Sequence, residues 1–466
     1  MTELLLAGAH LIVLDPDTLH WNADLFIEDN RVRWVKSHVS AQREEIVRRD
    51  TCEVIDASGW VVLPGLVNTH LHSHQFPLRS IEPLQHRPLS AWLSYMAHRT
   101  SKLSIEDCTA GVRAALLELA LSGCTATVDM PWLVKERDRE LLTASVAAAQ
   151  EVGLRYVLVR SGITCNMEGG EIDPIAIENP TDFLLGCEWA AQHVPSLGTN
   201  GRIGVAIGPS NLFTSTFGEF QDCAAIAAET GAGFHTHFLE SRFEEEALWK
   251  RDGLSPHEFL AAIGISRVQP RWIAHAVYAN QGVIAGLADL QVAVASCPTS
   301  NARGEGIAPV RHMVQQGLTV GVGVDGPAGN DACNLLSELK MLRTLQGALP
   351  HQSYLTWQET LRIGTQGGAQ TIGLPQGCGT LHPGAPADLA AFNLHGNIAL
   401  AGVHHPIIGL LSCTPPRPEL VMVDGEVIVR SGQHVRLDER DISAQIMSIV
   451  GRLRLLCQTS CIIHLV

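Results

Sequence analysis

The sequence predicts an α/β protein: a (β/α)8 barrel joined to a β-sandwich domain that both ends of the chain build together. Through the middle of the chain, short apolar runs alternate with longer helical stretches, which is typical of parallel β/α units. The two ends are instead rich in β-forming residues and in turn-forming Asp, Asn, Pro and Gly. We therefore expect the composite β-sandwich at 1–63 and 382–436, the barrel at 64–381 and a C-terminal helical segment at 437–466.

The terminal β-domain is predicted from two separate regions. Before residue 64, short β-rich runs at 11–14, 24–27 and 32–35 are separated by turn residues. Near the other end, 388–392 and 419–429 have the same character, and Asp424-Gly425 is a strong signal for a tight hairpin turn. The two regions are expected to pair around the inserted central domain.

Eight apolar runs between these ends are the candidate barrel strands. They are 61–67, 125–129, 155–159, 203–206, 233–237, 272–275, 292–296 and 320–324, with helical stretches such as 105–121 and 217–229 between them. An open doubly wound sheet is the alternative, because 321–326 has the Gly-x-Gly-x-x-Gly spacing of a dinucleotide-binding loop. These glycines lie inside the last apolar run, and Pro327 follows where a phosphate-binding helix would begin, which favours the barrel.

Composition and charge narrow the function classes. The chain has 466 residues, of which 46% are hydrophobic and 17% charged, as in a compact protein with a sizeable core. The formal net charge of −15 argues against a nucleic-acid surface, which needs a basic patch, and favours a small neutral substrate. The apolar run 4–14 lacks a basic leader and is too short to span a bilayer. With no Cys-x-x-Cys among twelve cysteines, we expect a cytoplasmic protein with free thiols. No membrane partner is expected, and a homodimer or homotetramer is a possible assembly.

Histidines and a carboxylate cluster at the predicted strand ends, where catalytic groups of a β/α barrel lie. His70 and His72 follow the first strand, and extended chain places both side chains on one side. His237, His275 and Asp325 follow the fifth, sixth and eighth strands. A single histidine at a strand end is more often structural, but three imidazoles and one carboxylate leave a position for water, as a catalytic zinc or ferrous iron site requires. Water in such a site can have a pKa of about 7.

These motifs resemble the amidohydrolase superfamily. The resemblance begins at Pro64-Gly65-Leu66 and His70-x-His72, runs through Asp325 and includes the segment 384–389. Four further segments are most similar to the deaminase branch, which contains guanine, 8-oxoguanine, isoxanthopterin and s-triazine aminohydrolases. They are His237-Phe238-Leu239-Glu240, Ala274-His275-Ala276-Val277, Cys297-Pro298-Thr299-Ser300-Asn301 and 325–331.

The resemblance implies a role for each site residue. The metal ligands that it implies are His70, His72, His237 and Asp325. Glu240 would be the proton shuttle, and His275 with Asp325 would hold the nucleophilic water; a carboxyl three residues after a ligand can also lie beside the open coordination position on physical grounds. Binuclear members of the superfamily use a carbamylated lysine near the end of the fourth strand. Because 202–209 contains no lysine, we expect one divalent ion, zinc with iron as the alternative.

Two residues are candidates for substrate recognition. The amide of Gln75 could read the lactam N–H and C=O of a purine-like ring, although an ordinary loop amide is the alternative. Trp92 could wall an aromatic pocket, although a tryptophan at a helix start also suits a core. His74 and His235 flank the ligand candidates and are expected to support them. Cys297 is expected to be a structural thiol.

The sequence therefore predicts a metal-dependent hydrolytic deaminase. It would release ammonia from an amino-substituted nitrogen heterocycle of the 2-amino-4-oxo purine, pyrimidine or pterin type, with 8-oxoguanine-like rings favoured. An s-triazine hydrolase that removes chloride or an alkylamine is the near alternative, since the ligand set alone does not distinguish the leaving groups. A catalytically silent barrel that serves as an assembly scaffold is the alternative from another class. Such a scaffold should have lost ligands, whereas every expected position carries one here.

Overall fold

The computed structural model describes residues 3–38, 46, 49, 51–81, 89–132, 137–166, 172–195, 201–350 and 354–463. The strands in these ranges are β1 Glu3–Asp15, β2 Thr18–Glu28, β3 Arg31–Ser37, β4 Cys52–Asp56, β5 Trp60–Pro64, β6 Leu66–Asn68, β7 Cys124–Asp129, β8 Arg155–Gly162, β9 Ile203–Pro209, β10 Gly233–Phe238, β11 Arg271–His275, β12 Ala293–Ser296, β13 Val320–Val322, β14 Leu389–Asn393, β15 Leu420–Val423, β16 Glu426–Arg430 and β17 Gln433–His434.

The α-helices in the same ranges are α1 Leu89–Thr100, α2 Ile105–Ala120, α3 Asp138–Val152, α4 Pro180–His193, α5 Phe217–Thr230, α6 Phe243–Asp252, α7 Pro256–Ala262, α8 Gln281–Asp289, α9 Pro298–Gly304, α10 Val310–Gln315, α11 Pro327–Asn330, α12 Leu335–Ala348, α13 Trp357–Arg362, α14 Gly368–Thr371, α15 Pro406–Ser412 and α16 Glu439–Ile463. A 3₁₀-helix, Ser73–Leu78, follows β6, and a single π-helical turn, Ile363–Gly367, joins α13 to α14.

Eight parallel strands, β6 to β13, close into a barrel, and β13 pairs with β6 to complete it. Their residues are buried along the whole length, as expected for parallel strands covered by helices. One face of the strands packs with helix residues: Leu158 and Phe234 share a cluster with Leu116 of α2. The other face forms a separate cluster that includes Val157 and Trp272 and fills the barrel interior. The predicted barrel is confirmed, and the doubly wound alternative is wrong.

The first predicted barrel strand, 61–67, is wrong as a single element. It is divided at Gly65 into β5, which belongs to the terminal sheet, and β6, which belongs to the barrel. A side-chain carbon at Gly65 would lie 2.1 Å from Thr125 Oγ1, so the chain can cross between the two sheets only where no side chain is present. The apolar run is continuous across this point because both halves are buried.

The two ends of the chain form one mixed sheet of nine strands. β5 pairs antiparallel with β14, which joins the N-terminal strands to the C-terminal ones. Asp424 and Gly425 both have positive φ angles, 51° and 77°, so the predicted hairpin turn is confirmed. Arg155, at the start of β8, donates to both carboxylate oxygens of Asp388, at 2.7 and 3.0 Å, and so ties the sheet to the barrel. The domain boundaries at 63/64, 381/382 and 436/437 stay predictions.

The C-terminal helix α16 packs against α2 on the outside of the barrel. Its residues Ile442, Ile446, Ile449 and Leu453 are buried at helical spacing. In the described part of the chain, no helix is both long enough and apolar enough to cross a bilayer. The ten cysteines whose side chains the structure describes are free thiols.

Candidate metal centre and active site

The carboxyl ends of four barrel strands bring the predicted metal-binding side chains together. His70 and His72 follow β6, His237 lies in β10, His275 ends β11 and Asp325 follows β13. The ligand atoms of His70, His237 and His275 lie within 4.8 Å of one another, and so do those of His70, His72 and Asp325. The backbone supports this meeting, because the Asp325 N–H donates to the His70 carbonyl at 3.1 Å.

Distances within the cluster are short. Nε2 of His70 and Nε2 of His72 each lie 3.4 Å from Oδ1 of Asp325. Nε2 of His72 lies 3.1 Å from Nε2 of His237. All three rings are buried, so water does not screen these contacts.

The hydrogen bonds of the outer ring nitrogens determine the tautomer of two of these histidines. Nδ1 of His72 lies 2.6 Å from the carbonyl oxygen of Met130, and Nδ1 of His237 lies 2.6 Å from that of Ser210. A carbonyl only accepts, so each Nδ1 carries the proton and each Nε2 carries a lone pair. Two lone pairs therefore face each other at 3.1 Å, an arrangement that a cation between them would stabilise.

The tautomers of His70 and His275 follow in the same way, from hydrogen bonds between Nδ1 and a side chain. Nδ1 of His235 donates to the carbonyl of Trp272 at 3.1 Å, so its Nε2 accepts from Nδ1 of His70 at 2.8 Å. Nδ1 of His275 donates to Oδ1 of Asn301 at 2.8 Å. The Nε2 atoms of His70 and His275 are buried and have no hydrogen-bond partner among the described residues. Four imidazoles thus present unprotonated Nε2 atoms to one small volume.

The electrostatics of the cluster fit a divalent cation better than a proton. Burial lowers the pKa of His70 to about 3, and burial together with neighbouring imidazoles lowers that of His237 well below its ordinary value. Burial raises the pKa of Asp325, but contact with His70 and the other imidazoles outweighs it and holds the pKa well below the usual range. Neutral nitrogens and an ionised carboxylate are the donor set of catalytic zinc sites. The residues that could hold one ion are His70, His72, His237 and Asp325.

Glu240 and His275 lie side by side next to this cluster. Oε2 of Glu240 is 3.7 Å from Nε2 of His275, and the Glu240 side chain is 14% exposed. Burial, and after it the charge of Asp325, raises the pKa of Glu240 well above its ordinary value, so its carboxyl can carry a proton at neutral pH. Leu239, His275 and Asp325 have positive φ angles of 47°, 74° and 60°. Such strained backbone at non-glycine residues is typical of functional sites.

Cys297 is the unexpected neighbour of this centre. Its Sγ lies within 4.8 Å of ligand atoms of His275 and Asp325. Burial, followed by the charge of Asp325, raises the pKa of the thiol well above its ordinary value, so the thiolate that binds metals is disfavoured. Cys297 therefore fits the predicted structural thiol.

The two predicted substrate residues occupy different positions. Trp92, in α1, lines the cavity that opens in front of the metal centre. Gln75 is fully buried, and neither its Oε1 nor its Nε2 has a partner among the described residues. Its amide packs against Gly326, where a side-chain carbon would lie 2.1 Å from Gln75 Oε1. The residues that line the cavity do not include Gln75, so its role in recognition stays a prediction.

Several cavity residues were missed from the sequence. The main ones are Trp132, Asn211, Ser300, Arg303 and Glu305. Trp132 and Asn211 each follow the end of a barrel strand, which is the signal that could have identified them. The Thr214 hydroxyl donates to Oδ1 of Asn211 at 2.6 Å, which leaves the Asn211 amide nitrogen as its available donor. Arg303 is braced by the carbonyl of Gly329 at 2.8 Å.

Comparisons with known proteins agree with this architecture. The sequence pattern of the amidohydrolase family matches residues 61–428. The chain is 32% identical to the 8-oxoguanine deaminase of Pseudomonas aeruginosa, over 82% of this chain and 85% of that protein. It is 31% identical to the 5-methylthioadenosine/S-adenosylhomocysteine deaminase of Pelotomaculum thermopropionicum, over 96% of this chain and 97% of that one.

Solved structures give the same result. The triazine hydrolase of Arthrobacter aurescens superimposes with a TM-score of 0.87 at 29% identity, covering 97% of this chain and 100% of that one. The atrazine chlorohydrolase of Arthrobacter aurescens TC1, solved with zinc, gives a TM-score of 0.85 at 28% identity, with 96% and 100% covered. The chain therefore belongs to the amidohydrolase family, in its deaminase branch, and is a hydrolase that acts on carbon–nitrogen bonds.

Proposed function

We propose that this hydrolase releases ammonia from 2-amino-4-oxo heterocycles, with 8-oxoguanine-like bases as the favoured substrates and related pyrimidines and pterins in the same class. The observation that carries the proposal is a cluster of four Nε2 lone pairs and one carboxylate beside Glu240, a largely buried acid able to keep its proton. The similarity to an 8-oxoguanine deaminase supports the choice of ring.

In this proposal, His70, His72, His237 and Asp325 hold one divalent ion, zinc with iron as the alternative. When bound, the ion supplies Lewis acidity, which can lower the pKa of a water molecule to about 7. The tautomers agree with this role, because the Nδ1 protons of His72 and His237 are already committed to backbone carbonyls. Such outer hydrogen bonds orient metal-binding imidazoles in known sites.

Glu240 would transfer protons between water and the ring. Its carboxyl donates a proton to the ring nitrogen next to the amino-bearing carbon, which makes that carbon electrophilic. After water attacks the carbon, Glu240 takes one proton from the attacking oxygen and gives it to the amino group. The carbon–nitrogen bond breaks and ammonia leaves. The second proton of the water passes to the Glu240 carboxyl and restores it, so the ring carbon becomes a carbonyl and the ring nitrogen keeps the proton that Glu240 first donated. The overall reaction consumes one water and releases one ammonia.

His275 would orient the attacking water. Asn301 accepts from its Nδ1, so Nε2 is an acceptor that points to the side of the cluster where Glu240 lies. A water molecule that donates to Nε2 of His275 is within reach of the Glu240 carboxyl, which lies 3.7 Å from the same nitrogen. Asp325 is the second acceptor for that water.

The cavity lining supports a flat, neutral, hydrogen-bonding ring. Trp92 and Trp132 offer aromatic surface, and Asn211 offers an amide donor to a ring carbonyl. Gln75 lies behind this lining, buried against Gly326, and its pairing with the lactam group stays a proposal from the sequence. Such amides discriminate strongly against analogues that lack the matching polar group.

The test is an ammonia-release screen of the zinc-loaded enzyme. The panel contains guanine, 8-oxoguanine, isocytosine, a pterin, cytosine, adenine, a hydroxylated triazine and 5-methylthioadenosine, with atrazine assayed for chloride and alkylamine. We expect ammonia from the 2-amino-4-oxo compounds and a loss of about 10²- to 10⁴-fold in kcat for Glu240→Gln with metal retained. Chloride release, or turnover of adenine compounds alone, would overturn the substrate class. Purification without a stoichiometric ion would favour a scaffold.

A further inference from the structure

A second buried carboxylate, Glu244, lies directly behind Glu240. It is at the start of α6 and its residue is 1% exposed. Its Oε2 accepts from the backbone N–H of Leu239 at 2.9 Å, and its Oε1 accepts from the backbone N–H of Ser241 at 2.8 Å. One carboxylate therefore binds the two backbone N–H groups on either side of Glu240.

The turn that these bonds hold has an unusual backbone. Leu239 has a φ of +47°, in the left-handed region that a residue with a side chain rarely adopts. The carbonyls of the same turn are held from the neighbouring strand end: Phe238 accepts from Ala276 at 3.0 Å and Leu239 accepts from Tyr278 at 3.1 Å. The turn is thus fixed on its carbonyl side by the loop after β11 and on its N–H side by Glu244.

The two N–H groups need two acceptor oxygens at this position, and their hydrogen bonds oppose burial, which raises the pKa of Glu244 to about 8. Both oxygens of Glu244 act as acceptors, and the donors, the N–H groups of Leu239 and Ser241, belong to buried residues. A glutamine amide has one acceptor and one donor, so its NH2 group would face one of the backbone N–H groups. That N–H would lose its partner, and a buried N–H without a partner is strongly unfavourable. The strained turn would then keep only one of its two hydrogen bonds to the side chain of residue 244.

We infer that Glu244 is a positioning residue, whose carboxyl group aims Glu240 at the reacting ring and at His275. It is not among the residues that line the cavity, and it acts through the backbone N–H groups of Leu239 and Ser241 on either side of Glu240. The inference rests on the proposed function, because it takes Glu240 to be the proton-transfer group. Glu240 lies 3.7 Å from His275 Nε2, so a rotation of the turn would separate the two groups.

The experiment is a double-mutant cycle on the zinc-loaded enzyme with the best substrate of the ammonia screen. We expect Glu244→Gln to lower kcat at least about tenfold while zinc content and KM stay at wild-type values. In the Glu240→Gln background, the same substitution should leave the residual kcat unchanged, since the group that it positions is already disabled. Glu246→Gln is the matched control, because Glu246 is an exposed carboxylate on the same helix.

A variant that keeps the carboxylate separates positioning from folding. Glu244→Asp retains two acceptor oxygens and should recover part of the kcat lost in Glu244→Gln, again at constant KM; it also serves if the glutamine variant does not fold. Two results would overturn the inference alone. One is an equal fold loss of kcat from Glu244→Gln in the wild-type and Glu240→Gln backgrounds. The other is no loss of kcat from Glu244→Gln in the wild-type background. A fully active Glu240→Gln enzyme would instead overturn the proposed role of Glu240, and the inference with it.

Discussion

Nε2 of His72 and Nε2 of His237 lie 3.1 Å apart, although 165 residues separate them in the chain. Each ring uses its Nδ1 proton for a backbone carbonyl, so the facing nitrogens both carry lone pairs. Only a cation or a proton makes such a contact favourable, and burial lowers the pKa of both rings. The pair lies where the ends of β6 and β10 meet. A positive charge between these two nitrogens would therefore stabilise the folded chain.

Metal removal should therefore reduce both activity and stability. An ion present at a thousand times its Kd stabilises the folded state by about 4 kcal/mol. We expect a chelator to abolish ammonia release and lower Tm, and added zinc to restore both. In metal analysis, His237→Asn should lose most of the ion, whereas His382→Asn, a half-exposed histidine that bonds Asp15, should keep it. Full zinc content in His237→Asn would contradict the ligand assignment.

Asn301 should affect turnover through His275 without affecting metal content. Its Oδ1 is 2.8 Å from Nδ1 of His275, and both residues are buried. Asn301→Ala removes the acceptor that selects the His275 tautomer, so we expect kcat to fall about 10- to 100-fold. Steady-state kinetics and metal analysis would measure this. Asn280→Ala, which removes a helix cap outside the cavity, should leave kcat unchanged. Loss of zinc in Asn301→Ala would indicate a different role.

Trp132 should contribute to substrate affinity. Its side chain is 4% exposed, lines the cavity and contacts the His74 ring edge-on, with centroids 6.1 Å apart. An aromatic contact is worth about 0.5–1.5 kcal/mol beyond its buried area, so Trp132→Ala should raise KM roughly tenfold for bicyclic substrates and less for isocytosine. Trp189→Ala is the control, since Trp189 stacks on His193 outside the cavity. An unchanged KM for both ring sizes would remove Trp132 from the recognition surface.

Glu338 should make stability depend on pH. It is 2% exposed and accepts from Thr299 and Asn330. Burial is the main cause that raises its pKa from 4.5 to about 7, although these hydrogen bonds oppose the shift. Its stabilising contribution is full below pH 4.5 and is lost as pH rises through about 7, because the unfolded chain ionises first.

The expected loss is about 3 kcal/mol between pH 4.5 and 8, at 1.36 kcal/mol per pKa unit. Glu338→Gln cannot titrate and should lack this dependence. Denaturant unfolding of the chelator-treated protein at several pH values, compared between the wild type and this variant, would measure it. Parallel pH profiles for the two proteins would show that Glu338 is ionised throughout the range.

The barrel and the residues at its strand ends could be predicted because their signals are local. Short buried runs and the two-residue period of extended chain place His70, His72 and His237 at the ends of β6 and β10 without knowledge of their partners. The crossing at Gly65 was not predictable in the same way. Both sides of it are apolar, and only the approach of Thr125 shows why the strand must divide.

The supporting residues depend on contacts that no local pattern carries. Asn301, for example, lies 26 residues from His275. Glu244 is only four residues from Glu240. In the sequence, however, an acidic residue at a helix start is expected simply to interact with the helix dipole. Its role appears only when the left-handed turn at Leu239 is seen.

By itself, the sequence determined which side chains arrive at the carboxyl ends of the barrel strands, because strand periodicity and burial are properties of neighbouring residues. The tertiary structure alone decided which nitrogen of each imidazole faces the centre. That choice depends on the carbonyls of Met130 and Ser210, 58 and 27 residues away from the histidines that they bind. A carbonyl can only accept a hydrogen bond, so its position in space keeps the proton on Nδ1 and leaves the Nε2 lone pair for the metal.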